Sequence, residues 1–498
     1  MRLLLIVVFA LVIGSTSRAD DAEERVARAV ERLGGILTRD ETKPGKHVEG
    51  VDFSHAHTVI RDANLKELVP LKHLTTLNLS VNLISDVGMK EIAKLENLTT
   101  LNLSLTDVTG AGLKELAVLK HLTHLDIRNK LTDVDLKGIA QLEHLTYLNL
   151  SCQFTQFTDT GLKELAELKD LMELDLSYSG ISGVGFKELA PLKNLKILNL
   201  SNSSLKYEGL KELAKMKCLT TLNLGGMPTT DVWLEELAKL KNLTTLQLDL
   251  PFITDEGFKE LAKLENLMTL MLRCFGIFPN SKSSIKVTED GFRELGKLKN
   301  LTTLDVQGLD VTDVTLKGIA HLKNLTTLNL SSTQVTDEGL KSLALLKNLT
   351  TLNLRFTQVA DGNLKELGQL KILRELELGP IPFTETGFKE LAQLKNLATL
   401  TLFIDKGAGF GLKILSESNN LTALNLYLFK ASDADLKDLV ELKNLSKLSL
   451  FGSQVSDEGL KQLMNLPNLT ILEFLNTKVT DNGIKELRKV LPKCEISR

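Results

Sequence analysis

The sequence predicts an α/β solenoid of about 18 short repeats, bent into a horseshoe with a parallel sheet on the concave side and helices on the convex side. Three observations carry this. First, Leu-x-Leu-type pairs begin at Leu77, Leu101, Leu125, Leu148, Leu174, Leu198, Leu222, Leu246, Leu270, Leu304, Leu328, Leu352, Leu376, Leu400, Leu424, Leu448 and Leu472, and thirteen of the sixteen intervals are 24 residues. Second, each pair reads as a short strand, and in clean copies a helix-start signal and leucines at helical spacing follow it. Third, the chain is 43% hydrophobic but only 5% aromatic, so its interior must be aliphatic. A chain of 498 residues would otherwise be expected to split into about three domains, because single cores stop growing at about 250–300 residues. A stack escapes that limit by growing in length.

The elements follow in order. Residues 1–19 read as an export signal: Arg2 is the basic start, Leu3 to Ile13 the apolar run, and Ser17-Arg18-Ala19 the cleavage site. The apolar run of 11 residues falls short of the ~20 that a membrane-spanning helix needs. The expected location is therefore periplasmic, cell-envelope or secreted, with no membrane insertion after signal removal. Residues 20–50 are expected to form an N-terminal cap. It comprises a helix over Asp20 to Leu33 with Val26, Ala29, Val30 and Leu33 on one face, then Gly34-Gly35, a Pro44-Gly45 turn and a linker. Residues 51–498 are the repeat domain, opened by a weaker copy at Val51 and Phe53.

A clean unit, Leu325 to Asn348, reads LTTLNLSSTQVTDEGLKSLALLKN. Its Leu-x-Leu stretch alternates inward and outward, Thr336-Asp337 begins a helix, and Leu340, Leu343 and Leu346 point inward. No unit this small can bury its apolar face alone, so neighbours must stack. The 23-, 26- and 34-residue intervals mark irregular copies; the longest contains the insertion 274–287 with Phe275 and Phe278, and the 26-residue copy places Phe154 and Phe157 in the core. Phe186, Phe258, Phe292 and Phe388 stand at consensus Leu positions. The C-terminal cap, 481–498, has Pro492 ending the last helix and Cys494-Glu495-Ile496 adding an edge strand.

This unit resembles the leucine-rich repeat family. Its form VTDxGLKELAxLKNLTTLNLS is similar to the ribonuclease-inhibitor-like and F-box-associated types and to exported repeat proteins of planctomycete-type bacteria. The resemblance covers residues 51–498 and implies a solenoid that binds a partner, with no particular partner named. Ubiquitin-ligase members carry an F-box ahead of the repeats; about 30 mature residues precede Val51 here, too few for that domain.

Chemistry is sparse. Sixty basic against 63 acidic residues give a net charge of −3, which argues against nucleic acid or an anionic membrane as partner. The eight histidines form no metal-ligand spacing; His73, His121 and His144 take the Asn place of the KNL turn, and His55-Ala56-His57 is the least explained pair. Gly407, Gly409 and Gly411 lack the flanks of a phosphate cradle. No Ser-His-Asp or Cys-His grouping has usable spacing, so no enzyme activity, cofactor or metal is expected. Cys152 and Cys274 share a repeat position but lie five repeats apart, roughly 24 Å, so thiols are expected. Asn-x-Ser/Thr at Asn78, Asn97, Asn102, Asn149, Asn329 and Asn348 reads as a product of the consensus, in keeping with a bacterial exporter.

Binding is the remaining role. Outward strand positions, such as Thr76, Asn78 and Ser80, form a polar Thr/Asn/Ser face. In the four C-terminal copies the position after Leu-x-Leu becomes Phe403, Tyr427, Phe451 and Leu475, which 24-residue spacing sets side by side as an expected exposed apolar ridge. It is read either as a stacking ladder or as a contact for a protein or peptide. Arg273 and Arg355 lie in the same column and are expected to be solvated charges. Phe275 and Phe278 are a smaller candidate contact. The resulting expectation is a protein-binding scaffold, with self-assembly in the envelope or carbohydrate recognition through Phe403, Tyr427 and Phe451 as alternatives.

Overall fold

The structure, a computed structural model, describes residues 22–40, 42, 46–153, 156–273, 287–381, 383–404, 409–415, 418, 420–428 and 432–497. The signal segment, the Pro44-Gly45 turn, Phe154, Cys274, the insertion with Phe275 and Phe278, and Gly407 lie outside the described residues. The chain forms two compact units, the first running to Met227 and the second starting at Pro228.

The first unit opens with a helix over residues 22–32. Its inward face is Glu23, Val26, Ala27 and Val30, an i, i+3, i+4, i+7 stripe. Ala27 therefore takes the place expected of Ala29, and Leu33 is only half-buried. The Glu23 carboxylate accepts from the Val48 amide and lies 2.9 Å from His47 Nδ1, which ties the helix to the sheet. The expected linker is instead a strand: β1 (Ile36–Arg39) runs antiparallel to β2 (Val48–Asp52), with Ile36 opposite Asp52. The physical reason is the open edge of β2, whose backbone groups need partners that β1 supplies.

Parallel strands then follow one per repeat: β3 (Thr76–Asn78), β4 (Thr100–Asn102), β5 (His124–Asp126), β6 (Tyr147–Asn149), β7 (Glu173–Asp175), β8 (Ile197–Asn199) and β9 (Thr221–Thr230). Their register is Val51, Leu77, Leu101, Leu125, Leu148, Leu174, Leu198 and Leu222 side by side. The second unit holds β10 (Thr245–Phe252), β11 (Thr269–Arg273), β12 (Thr303–Asp305), β13 (Thr327–Asn329), β14 (Thr351–Arg355), β15 (Glu375–Ile381), β16 (Thr399–Ile404), β17 (Ala423–Leu428), β18 (Lys447–Phe451), β19 (Ile471–Leu475) and β20 (Glu495–Ser497). Leu270 pairs with Leu304 across the long interval, and Ile496 pairs with Leu472 at the end. Phe186, Phe258, Phe292 and Phe388 are buried with the leucines.

The TDxG motif joins repeats. In the clean unit, Thr336 caps the helix Asp337–Leu343 by accepting from the Glu338 amide. Thr336 is itself held from the preceding repeat: Asp313 accepts from its amide at 2.9 Å and from its hydroxyl at 2.6 Å. The same bridge links Asp62 to Ser85, Asp86 to Thr109, Asp231 to Thr254, Asp433 to Ser456 and Asp457 to Thr480. Glycine two residues after the Asp leaves room for it, since a Cβ at Gly339 would stand 2.5 Å from the Asp313 carboxylate. In the KNL turn, Asn348 donates to the Lys323 carbonyl one repeat back, as Asn97 does to Lys72. Asn97 and Asn348 of the Asn-x-Ser/Thr sites are therefore engaged between repeats, while Asn78, Asn102 and Asn329 accept from amides two residues on in their own repeats.

Candidate functional site

Strand length decides which side chains reach the surface. In β3, β4 and β6 the central Asn accepts from the amide two residues on, as Asn78 does from Ser80 at 3.1 Å, and the strand ends there. The next residue turns in, so Ser80 and Ser104 are buried, against the expectation that this column faces out. In β16 to β19 the central residues are Thr401, Asn425, Ser449 and Glu473, and none of these strands ends there. The strands run on, and Phe403, Tyr427, Phe451 and Leu475 pair in register.

Those residues pack on one another. The Phe403 and Tyr427 rings lie 4.0 Å apart at 7°, and Tyr427 and Phe451 lie 4.7 Å apart at 20°. The expected exposed ridge is thus corrected: Phe403 is 6% exposed, Tyr427 and Phe451 are half-buried, and Leu475 alone of the four is open, at 52%. Stacking hides ring faces and leaves edges toward solvent.

Arg355 belongs to this stack and is not a free solvated charge. Its guanidinium lies 4.1 Å from the Phe403 ring centre, on the side away from Tyr427 in strand order, and its Nη1 is 3.4 Å from Glu377. The reach across β15 depends on Gly379, which occupies the same column with φ +100; a Cβ there would stand 2.3 Å from the Phe403 carbonyl oxygen. The Arg355 Nε, buried against the rings, makes no hydrogen bond among the described residues. Phe356, which sequence reasoning passed over, is 51% exposed in a left-handed conformation (φ +56), its ring 5.6 Å from Phe403. The signal for it was the glycine opposite Arg355, which clears a two-strand gap.

Charge is paired around the strip. Glu473 accepts from Ser449 Oγ at 2.6 Å and Lys447 Nζ at 3.0 Å; the Ser449 hydrogen bond, then Lys447, holds its carboxyl below the ordinary value. Arg273 stands apart, bound to Asp305 on the next strand at 2.8 and 3.1 Å, so it too is neutralised.

Other candidates resolve structurally. His55 and His57 are exposed, and among the described residues no three His, Cys, Asp or Glu side chains are grouped to hold a metal. Gly411 sits in the helix Gly409–Leu415, where a Cβ would stand 2.0 Å from the Phe388 ring. Cys152, Cys218 and Cys494 are thiols. No helix among the described residues is long and apolar enough to cross a membrane.

In-register parallel strands that alternate with helical turns and carry a consensus leucine set define a leucine-rich-repeat protein. The chain belongs to that family: it matches the leucine-rich repeat region over residues 51–296 and 292–489. Similar solved structures include an internalin, inlF, from Listeria monocytogenes (22% identity, 77% of this chain and 94% of that one, TM-score 0.47). Another is a leucine-rich-repeat protein of Leptospira interrogans (27% identity, 84% and 95%, TM-score 0.42). A third is a TLR13–ssRNA13 complex (21% identity, 87% and 60%, TM-score 0.50). None of the curated proteins matches the sequence.

Proposed function

We propose that this chain is an exported, non-enzymatic scaffold that binds a protein or peptide on the exposed face of its strands, anchored at the Phe403–Leu475 strip. Export rests on Arg2, the Leu3 to Ile13 run and the Ala19 cleavage site. The observation that carries the binding reading is the strip itself: a packed aromatic base whose two ends, Phe356 and Leu475, remain half open to solvent. Rigid aromatic anchors rimmed by paired charges suit a protein interface. Sugar recognition needs an open ring face, and Phe403 is covered on one side by Tyr427 and contacted by Arg355, which disfavours that alternative.

Tyr427→Ala with Phe451→Ala would unpack the stack, so the sharper variant is Phe356→Ser with Leu475→Lys, which strips the exposed anchors alone. A partner captured from envelope extract, identified and then purified, is expected to bind this variant at least tenfold more weakly, with an unchanged melting curve. Equal binding refutes the strip as anchor. Self-association is the second reading, favoured by exposed Leu475; concentration-dependent sedimentation that the same variant abolishes would establish it.

A further inference from the structure

We propose that the strand face of the first unit around Tyr147 and Asn149 docks a protein segment that presents an arginine or lysine side chain. Over β3 and β4 this face is Thr and Asn; over β5 to β7 it becomes His124 and Asp126, Tyr147 and Asn149, Glu173 and Asp175. Register places His124, Tyr147 and Glu173 in one row and Asp126, Asn149 and Asp175 in the next. The His124 and Tyr147 rings lie 5.7 Å apart at 19°, a flat aromatic wall beside the carboxylates.

Charge on this face does not cancel. Arg128 is engaged by Asp126 at 3.1 Å. Among the described residues Asp175 has neutral donors only, the Ser177 amide and Asn199 Nδ2, each at 2.8 Å. Among the described residues no Lys or Arg forms an ion pair with Glu173 or Asp175. Burial, then the Asp175 charge, pushes the Glu173 carboxyl up against the opposing effect of His124. Burial also raises the Tyr147 hydroxyl, with Asp126, Glu173 and Asp175 adding to it against the Asn149 hydrogen bond. Burial is the larger cause in both, and the neighbouring carboxylates add the part that an incoming cation would oppose.

A cation seated over Asn149 lies about one strand spacing, ~4.8 Å, from both Asp126 and Asp175, with the Tyr147 ring beside it. A guanidinium or ammonium on a peptide meets that geometry with charge-assisted hydrogen bonds. Acidic ligands, nucleic acid included, are repelled. A bare metal ion is disfavoured, since no described cluster supplies three ligands within reach of one another. The inference rests on the reading of the chain as a protein-binding scaffold but uses different residues from the strip.

The probe is a capped Gly-Arg-Gly-Arg-Gly peptide, with Gly-Glu-Gly-Glu-Gly as control, titrated into the full chain by NMR or calorimetry at about 50 and 300 mM salt. The arginine peptide is expected to bind and the control not, with weakening at high salt. Glu173→Gln with Asp175→Asn should lower affinity about tenfold or more, and Asp126→Asn several-fold. Phe356→Ser with Leu475→Lys should leave it unchanged. Independently of the peptide, ultraviolet titration should show the Tyr147 midpoint falling in the Glu173→Gln, Asp175→Asn variant. No binding of the arginine peptide up to millimolar concentration, or equal binding by the Glu173/Asp175 variant, overturns the proposal. Failure of the strip experiment leaves these outcomes untouched, so the two can be told apart.

Discussion

Replacing Asp159 with Ala tests the inter-repeat bridge where it is densest. Its carboxylate accepts from the Ser182 amide at 2.9 Å, the Ser182 hydroxyl at 2.7 Å, the Gly183 amide at 2.8 Å and the Gly185 amide at 3.0 Å. Gly183, at φ +91, precedes the helical turn Val184–Leu189 and has no side chain with which to cap it. The preceding repeat therefore supplies the cap. Hydrogen bonds to a charged group contribute about 1.5–3 kcal/mol each, but these four share one half-exposed carboxylate that water partly replaces. Loss of an ordinary cap costs about 0.5–2 kcal/mol. Asp159→Ala is accordingly expected to cost about 3 kcal/mol, and Asp159→Asn, which keeps one acceptor oxygen, about 1–1.5 kcal/mol.

The pH profile adds a signature. Burial pushes the Asp159 carboxyl up, but the hydrogen bonds from Gly185, Ser182 and Gly183 outweigh it and leave it below the ordinary value. A depressed folded pKa means the unfolded chain binds more protons in the window between the two values. The contribution is then fully present above about pH 5 and fades as pH falls through the folded value, below about pH 4. Urea unfolding across pH, with hydrogen exchange at the Val184–Leu189 amides to register local opening, measures both effects. A cost under about 0.5 kcal/mol, or a wild-type advantage unchanged down to about pH 2, would falsify the capping account.

Two further expectations concern the strip. Gly379→Ala forces a Cβ to 2.3 Å from the Phe403 carbonyl oxygen at φ +100, so it should cost about 2 kcal/mol or more and weaken the near-ultraviolet dichroism of the stack; an unchanged spectrum and melting point would contradict the role given to Gly379. Lys447→Met should raise the Glu473 midpoint toward, but not to, the ordinary value, because Ser449 still donates, while stability at neutral pH changes by less than about 1 kcal/mol. Carboxyl NMR titration reads this, and an unmoved midpoint would remove Lys447 from the explanation.

Periodicity made the strands legible because a leucine pair every 24 residues leaves only one way to bury them, and the register of Leu77 on Leu101 follows directly. The capping role of Thr336 was likewise local chemistry. What Asp313 does was hidden, because its partners sit one period away. The cap strand Ile36–Arg39 has no repeat pattern and forms only because β2 has an open edge. At the strip, the column of Phe403, Tyr427 and Phe451 could be read, but its burial could not. Whether a side chain after Leu-x-Leu faces out depends on whether the strand continues, and the central residue does not decide this alone: β3 ends at Asn78, whereas β14 and β17 run on past Asn353 and Asn425. Arg355 was misjudged because its partner ring lies two strands away across a glycine.

Most of the Asp bridges run one way along the chain, one repeat holding the cap of the next; Asp135, which accepts from the Gly110 amide of the repeat before it, runs the other way. The array is therefore polar in its tolerance of shortening. Trimming from the C-terminal end frees bridge carboxylates, whereas trimming from the front leaves the first surviving cap residue, as Thr336 would be without Asp313, with an unpaired amide and hydroxyl; either cut also bares leucines. The same direction matches the order in which a ribosome delivers the repeats, so a bridged helix emerges after the repeat that carries its Asp. A recombinant array built from these units would have to inherit the carboxylate of the unit in front, which makes the natural module begin at a bridge Asp and run past the Thr it holds.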